Sequence, residues 1–99
     1  MRIITGSARG ATLATLDGEA TRPTPAKVKE AVFSSIQFDI EGRRVLDLFA
    51  GSGQMGLEAL SRGAEKATFV DSSREAIDVI KANAQKIHLY QKTNVLCMD

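Results

Sequence analysis

The sequence lacks the residues that would staple it covalently or anchor it in a membrane. Its single cysteine, Cys97, cannot close an internal disulfide, which excludes a disulfide scaffold. No apolar run approaches the roughly 20 residues of a membrane-spanning helix, and Met1-Arg2-Ile3-Ile4 leads into no signal-peptide core. Neither sign of charge dominates: 13 Lys and Arg stand against 12 Asp and Glu, for a net charge of +1, which excludes a polyelectrolyte tail. Prolines are confined to Pro23 and Pro25. What remains is a 99-residue chain, 43% hydrophobic and 25% charged, read as a small cytoplasmic domain or a piece of a larger one.

The charge is unevenly spread. Residues 1–29 carry five basic groups (Arg2, Arg9, Arg22, Lys27, Lys29) against Asp17 and Glu19, a local +3, whereas residues 30–99 carry a local −2. A basic leading segment on a mildly acidic body is compatible with a phosphate-binding arm and equally with an ordinary solvated surface. Residues 1–20 are short, β-prone and punctuated by Gly6, Gly10 and Asp17-Gly18, which predicts a small hairpin or meander. Thr24 as N-cap and Pro25 at the first helical position open a helix to about Phe38, with Val28, Ala31, Val32, Ser35 and Ile36 on one face.

Strand and helix then alternate. RVLDLF at residues 44–49 is a short strand suited to burial on both faces, and a glycine-rich turn at 51–56 leads into a helix stopped by Gly63. KATFVD at 66–71 is the second strand, and Ser72-Ser73-Arg74-Glu75 is a capping box opening a helix whose apolar stripe is Ile77, Ile80, Ala84 and Ile87. Residues 93–98 form the third strand. This β-α-β-α-β succession predicts an α/β, Rossmann-like doubly wound parallel sheet. With three strands it is half of such a fold, an incomplete domain over 21–99 preceded by the basic hairpin of 1–20. In a doubly wound sheet the first strand is central, so here it would present an open apolar edge prone to strand pairing or dimerisation.

The sharpest motif is Asp47-Leu-Phe-Ala-Gly51-Ser-Gly53-Gln-Met-Gly56. It places G-x-G-x-x-G directly after a strand and before a helix, where glycines allow a tight turn and close approach of a nucleotide-type ligand. Asp71, at the end of the next strand, is placed to accept hydrogen bonds from both hydroxyls of a ribose. That would serve NAD, FAD or S-adenosylmethionine. Asp47 favours the last, because a carboxylate beside the loop repels a pyrophosphate and attracts a sulfonium and an ammonium group. Asp99, ending the third strand, is placed to accept from an adenine amino group. Each aspartate alone would equally suit a turn or helix cap.

Residues 47–64, DLFAGSGQMGLEALSRGA, resemble the first methyltransferase motif of the bacterial small-subunit (16S) ribosomal RNA guanine-N2 methyltransferases. Arg2-Ile3-Ile4-x-Gly6 with Arg9-Gly10, Thr21-Arg22-Pro23-Thr24 before Glu30-Ala31-Val32-Phe33, and Phe69-Val70-Asp71 with Ser73-Arg74-Glu75-Ala76 resemble further family segments in order and spacing. The resemblance implies that Asp47, Gly51 and Gly53 frame the methionine part of S-adenosylmethionine, that Asp71 holds the ribose, and that Met98 and Asp99 hold the adenine. Phe49 and Ala50 would add loop contacts, and Thr24 and Lys27 would border the cofactor or simply cap and solvate a helix. Arg2, Arg9 and Arg22 would contact phosphates of ribosomal RNA or a small-subunit assembly intermediate. The family's Asn- or Asp-Pro-Pro-aromatic catalytic motif is absent, so the resemblance implies a methyl donor's seat without the acceptor's, and no turnover by these 99 residues alone.

Other reactive residue types carry less. His88 has no second histidine or acid at ligand spacing and reads as a surface or capping residue. Cys97 reads as a core residue, Met55 and Met98 as core or cofactor-lining, and Lys81, Lys86 and Lys92 as a solvated face. No metal-ligand cluster is present. The rival readings are a nicotinamide or flavin Rossmann domain and a non-catalytic module that dimerises through its open sheet edge.

Overall fold

A computed structural model describes residues 2–15, 26–48 and 50–98. Helix α1 (Ala26–Ile36) precedes β1 (Arg44–Leu48), α2 (Gln54–Ser61), β2 (Lys66–Asp71), α3 (Arg74–Lys86), a 3-10 turn (Tyr90–Lys92) and β3 (Thr93–Cys97). The strands form one parallel sheet in the order β1-β2-β3. Asp47 lies opposite Phe69, and Asp71 opposite Cys97. Both crossovers run through a helix, as a parallel sheet requires.

Period-two alternation divides the sheet into a covered and an open face. Ala67 and Phe69 are fully buried in one cluster with Leu57 and Leu60 of α2 and Ile80 and Ala84 of α3, so both crossover helices lie on the same face. On the other face Leu46 and Leu48 are 62% and 56% exposed, and Leu96 and Met98 are exposed as well. The expectation that β1 is buried on both faces therefore fails: Val45 and Asp47 are half-buried on the helix-covered face, and Leu46 and Leu48 are exposed on the other. Among the described residues β1 is also an edge strand, paired on its β2 side alone.

Helix α1 reverses its predicted orientation. The stripe of Val28, Val32 and Ile36 is exposed, and the buried face is Lys29 and Phe33. The reason is electrostatic. Lys29 Nζ lies 3.0 Å from Glu58 Oε1 and donates to the Arg2 carbonyl at 3.0 Å. Glu58 is completely buried on α2, where it also takes Arg62 Nε at 2.8 Å and the N–H groups of Ile4 and Thr5 at 2.8 and 3.0 Å. The Arg62 guanidinium in turn stacks 4.7 Å from the centre of the Phe33 ring. A buried carboxylate with this many donors satisfies the rule that buried charge must be paired. Lys29 is thereby removed from the basic surface that its sequence position suggests.

The leading segment follows the same network. Residues 2–15 contain one antiparallel bridge, Arg2 with Thr12, flanked by hydrogen bonds between Ile3 and Ala11 and between Gly10 and Ile3. Ser61 Oγ donates to the Thr5 carbonyl and accepts from Ala8 N–H, while the Ser61 carbonyl accepts from Ser7 N–H. The approach is so close at Gly6 (φ +97°) that a Cβ there would lie 1.8 Å from the Ser61 carbonyl oxygen. Lys86, expected on a solvated face, donates to the Thr12 carbonyl. A boundary at residue 20 or 21 lies outside the described residues.

Helix ends obey local rules, with one difference from expectation. The N-cap of α3 is Ser73, whose Oγ accepts from Ala76 N–H at 3.3 Å, so position N3 is Ala76 and the predicted glutamate arm of a capping box has no place. Both α2 and α3 end in Schellman motifs: Gly63 and Ala64 donate back to Leu60 and Ala59, and His88 and Leu89 to Gln85 and Ala84. The left-handed residue is Gly63 (φ +106°) in the first and His88 (φ +61°) in the second. His88 is thus a capping residue. Cys97, predicted to be core, is exposed, because it ends a strand that has no neighbour beyond it among the described residues.

Burial by itself raises the Glu58 pKa, but the Ile4 N–H, Arg62, Lys29 and Thr5 N–H together outweigh it and hold the carboxyl below its ordinary value of 4.5. A carboxyl depressed on folding contributes stability that is complete above about pH 4.5 and lost as pH falls through its folded value. Glu58→Gln should lower stability at pH 7 by about 3–5 kcal/mol, leaving the Lys29 ammonium buried without its counter-ion. It should also remove that part of the acid-induced loss. Urea unfolding at pH 3–7 on both chains measures this, and equal pH slopes would contradict it.

Candidate functional site

The carboxyl ends of parallel strands are where a doubly wound sheet opens a crevice, and the predicted site residues gather there. β1 runs into the turn containing Ala50, Gly51, Ser52 and Gly53, which enters α2. Gly51 (φ +59°) and Gly53 (φ +84°) occupy the left-handed region that glycine enters without a Cβ penalty. Ala50 N–H donates to the Val70 carbonyl at 3.1 Å and Gly53 N–H to the Ala50 carbonyl at 2.9 Å, tying the loop to β2 and to itself. Gly56 sits on Phe69: a Cβ there would fall 2.3 Å from the ring, which is fully buried.

Two aspartates hold this turn from adjacent strands. Asp47 Oδ2 accepts from Gly56 N–H at 3.1 Å, in the first turn of α2. Gly53, the N-cap of α2, has no side chain to cap with, so a carboxylate from β1 does so and also meets the positive end of the helix dipole. Asp71 Oδ2 accepts from Gly51 N–H at 3.0 Å and Oδ1 from Ser73 N–H at 2.9 Å. Each Asp71 oxygen has capacity for a second acceptor bond. The turn-forming role and the ligand-facing role are therefore compatible in one residue.

Asp47, Ala50, Gly51, Gly53, Asp71 and Met98 come together. Met98 is 54% exposed, and its N–H donates to the Asp71 carbonyl at 3.0 Å, so β3 ends beside β2's carboxylate. Phe49, Asp99, Arg22, Thr24 and Pro25 lie outside the described residues. Arg2 and Arg9 are exposed on the leading segment, and Lys27 is exposed on α1. No group of three or more His, Cys, Asp or Glu able to hold a metal occurs among the described residues, and no described helix is long and apolar enough to cross a membrane.

Sequence reasoning missed Asn83. It is buried on α3, where its amide holds the carbonyl of Ser52, the middle residue of the turn, at 3.0 Å. The available signal was a polar residue beside Ile80 and Ala84 on an otherwise apolar stripe. Glu58 within Leu57-Glu58-Ala59-Leu60 carried the same signal.

A parallel sheet with same-face crossover helices and a glycine turn after its first strand is half of a Rossmann-like fold, and its solved neighbours include S-adenosylmethionine-dependent methyltransferases. The Escherichia coli protein yhhF, provisionally named a methyltransferase, superposes with a TM-score of 0.90 at 36% identity, covering all of this chain and 53% of that one. A methyltransferase from Thiobacillus denitrificans, solved with S-adenosylhomocysteine, superposes with a TM-score of 0.64 at 26% identity over 77% of this chain and 30% of that one. The chain belongs to the family described as Conserved hypothetical protein 95, whose model matches residues 1–99. Within reach of that family, YlbH of Bacillus subtilis, provisionally named an rRNA methyltransferase, is 47% identical over all 99 residues and 54% of its own length. Ribosomal RNA small subunit methyltransferase D of Haemophilus influenzae is 42% identical over 87 residues, 88% of this chain and 45% of that protein. The resemblance to rRNA methyltransferases read from the sequence is thus borne out. The chain spans about half the length of the curated relatives it matches.

Gly56→Ala tests the packing that sets the turn. Its Cβ would meet a ring with no free space to enter, so destabilisation of about 1–3 kcal/mol is expected, against the small gain alanine brings to an exposed helix position. Chemical denaturation measures it, and a neutral or stabilising result would place Phe69 in a looser setting than described.

Proposed function

We propose that this chain supplies the S-adenosylmethionine-binding half of an enzyme that methylates the exocyclic N2 amine of a guanine in small-subunit ribosomal RNA, in the cytoplasm. The observation that carries the cofactor assignment is the pair of strand-end carboxylates around the Gly51–Gly53 turn, with Asp47 at the N-terminus of α2. A helix start with bare N–H groups suits a phosphate, and one with a carboxylate already on it does not. The donor set fits the cofactor: Asp71 presents acceptors for vicinal hydroxyls, Asp47 a negative charge for cationic groups, and the glycines a backbone free of side chains. Ala50, Phe49, Met98 and Asp99 complete the seat in this reading. The cofactor supplies an electrophilic methyl group on a sulfonium.

This chain's own residues then act by placement. Asp71 orients the ribose, Asp47 and the turn fix the methionine end, and Arg2, Arg9 and Arg22 hold RNA phosphates without reading sequence. No titrating base is required in this half, because orientation toward the methyl accounts for much of the rate in such transfers. The guanine-facing groups belong to the length that the relatives have and these residues do not. In the same reading residues 21–99 are an incomplete domain whose β1 edge and exposed α1 stripe receive the rest of the fold, and residues 1–20 are its RNA-facing extension. By themselves the 99 residues would transfer no methyl group.

Calorimetric titration of the chain with S-adenosylmethionine, with NADH as control, tests the seat. Binding of the sulfonium compound alone is expected, at least tenfold weaker in Asp71→Ala, since hydrogen bonds to a charged partner contribute about 1.5–3 kcal/mol. Binding of NADH, or no binding by a folded chain, would overturn the assignment. The exposed edge gives a second expectation: the chain's mass in sedimentation rises from 10.7 kDa toward a dimer with concentration, and Leu46→Lys with Leu48→Lys suppresses the rise. A monomer at all concentrations would remove the dimer.

A further inference from the structure

The glycine turn and the leading segment, unrelated in chemistry, share one side chain on α3, 31 residues beyond Ser52 of the turn and 69 beyond Ala14 of the segment. Asn83 is 2% exposed. Its Oδ1 accepts from Ala14 N–H at 2.8 Å, and its Nδ2 donates to the Ala14 carbonyl at 3.0 Å and to the Ser52 carbonyl at 3.0 Å. A primary amide has two N–H donors, and both are committed here, one to each segment. The network also fixes the amide's orientation, since a reversed Asn83 would set donor against donor at Ala14 and acceptor against acceptor at Ser52. One turn earlier on α3, Ile80 lies 3.1 Å from where a Cβ on Gly53 would stand, so α3 bears on two consecutive residues of the turn.

We propose that Asn83 is a positioning residue that couples the leading segment to the cofactor turn, so that docking of residue 14 and binding at the turn strengthen each other. If Ala14 leaves, the buried amide loses two of its three bonds, and any turn toward new partners loosens its hold on the Ser52 carbonyl between the two left-handed glycines. Coupling of this kind is reciprocal: whatever factor docking adds to ligand affinity, the ligand adds to docking. An RNA-facing arm and a methyl-donor seat linked in this way would load the donor preferentially onto chains whose arm is in place. The inference rests on reading the turn as the seat of S-adenosylmethionine, but the link between turn and segment stands on geometry alone.

The test uses nitrogen-15-labelled chain, titrated with S-adenosylmethionine, as wild type, Ala14→Pro, Asn83→Ala and the double variant. Ala14→Pro deletes the N–H that Asn83 accepts without touching the turn. Its expected signature is a shift of the Gly51 and Gly53 amide resonances together with binding about tenfold weaker, the scale of one buried hydrogen bond. The double variant should bind no more weakly than Asn83→Ala, and saturating S-adenosylmethionine should slow hydrogen exchange at Ala14 in the wild type. Unchanged Gly51 and Gly53 resonances in Ala14→Pro, or losses that multiply in the double variant, would overturn the coupling. If Asn83→Ala does not fold, the resonances of Ala14→Pro decide. If the wild type binds no S-adenosylmethionine, the cofactor reading fails, while those resonances still decide whether the turn and the segment are linked.

Discussion

One buried carboxylate organises the first half of this chain. Glu58 has no exposed surface, and a charge in that position is tolerable only when surrounded by donors. Lys29 comes from α1, Arg62 from the end of α2, and two N–H groups from the leading segment. Each donor belongs to an element that has another way to sit. Helix α1 could bury Val28, Val32 and Ile36, and the leading segment could pair elsewhere as a free hairpin. The cost of an unpaired Glu58 removes those alternatives. A buried ion pair of this sort is weak evidence for stability relative to an apolar substitute, and stronger evidence for a specified arrangement.

That arrangement has a consequence for the other side of α1. With Lys29 and Phe33 turned inward, the apolar stripe of the helix faces out, and Leu46 and Leu48 stand exposed on the edge strand. A monomeric domain rarely shows this much clustered aliphatic surface unless something covers it. The relatives are about twice as long, and a doubly wound sheet carries helices on both of its faces.

The sequence made some of this legible and hid the rest for definable reasons. The parallel sheet followed from element order, and the turn from glycine spacing after a strand; both are local signals, and the positive φ of Gly51 and Gly53 agrees with them. Periodicity misled at α1, because it registers which residues are apolar and not which face finds a partner. Lys29 looked like surface charge since its counter-ion is 29 residues away on another helix. Cys97 looked buried because an edge strand and a central one read alike. Asn83 and Glu58 were visible only as polar residues on apolar stripes, a pattern that marks a buried network without naming its members.

The two strand-end aspartates bring structure and ligand choice into one argument. Asp47 and Asp71 are bonded to backbone N–H groups of the turn and would be needed there if nothing ever bound. In the proposed reading their charge also decides the sign of what binds. The N-terminus of α2 carries roughly half a positive charge, and the Asp47 carboxylate more than cancels it. A phosphate about 4 Å from that carboxylate, at an effective dielectric constant near 20, would meet a repulsion of about 4 kcal/mol, and a sulfonium or ammonium group a comparable attraction. A glycine turn after a strand is neutral between dinucleotides and adenosyl cations. In the proposed reading the turn's own fastening, made by an acid on β1 where a side-chain cap is missing at Gly53, tips it toward the cation, so that selectivity follows from how the loop is built.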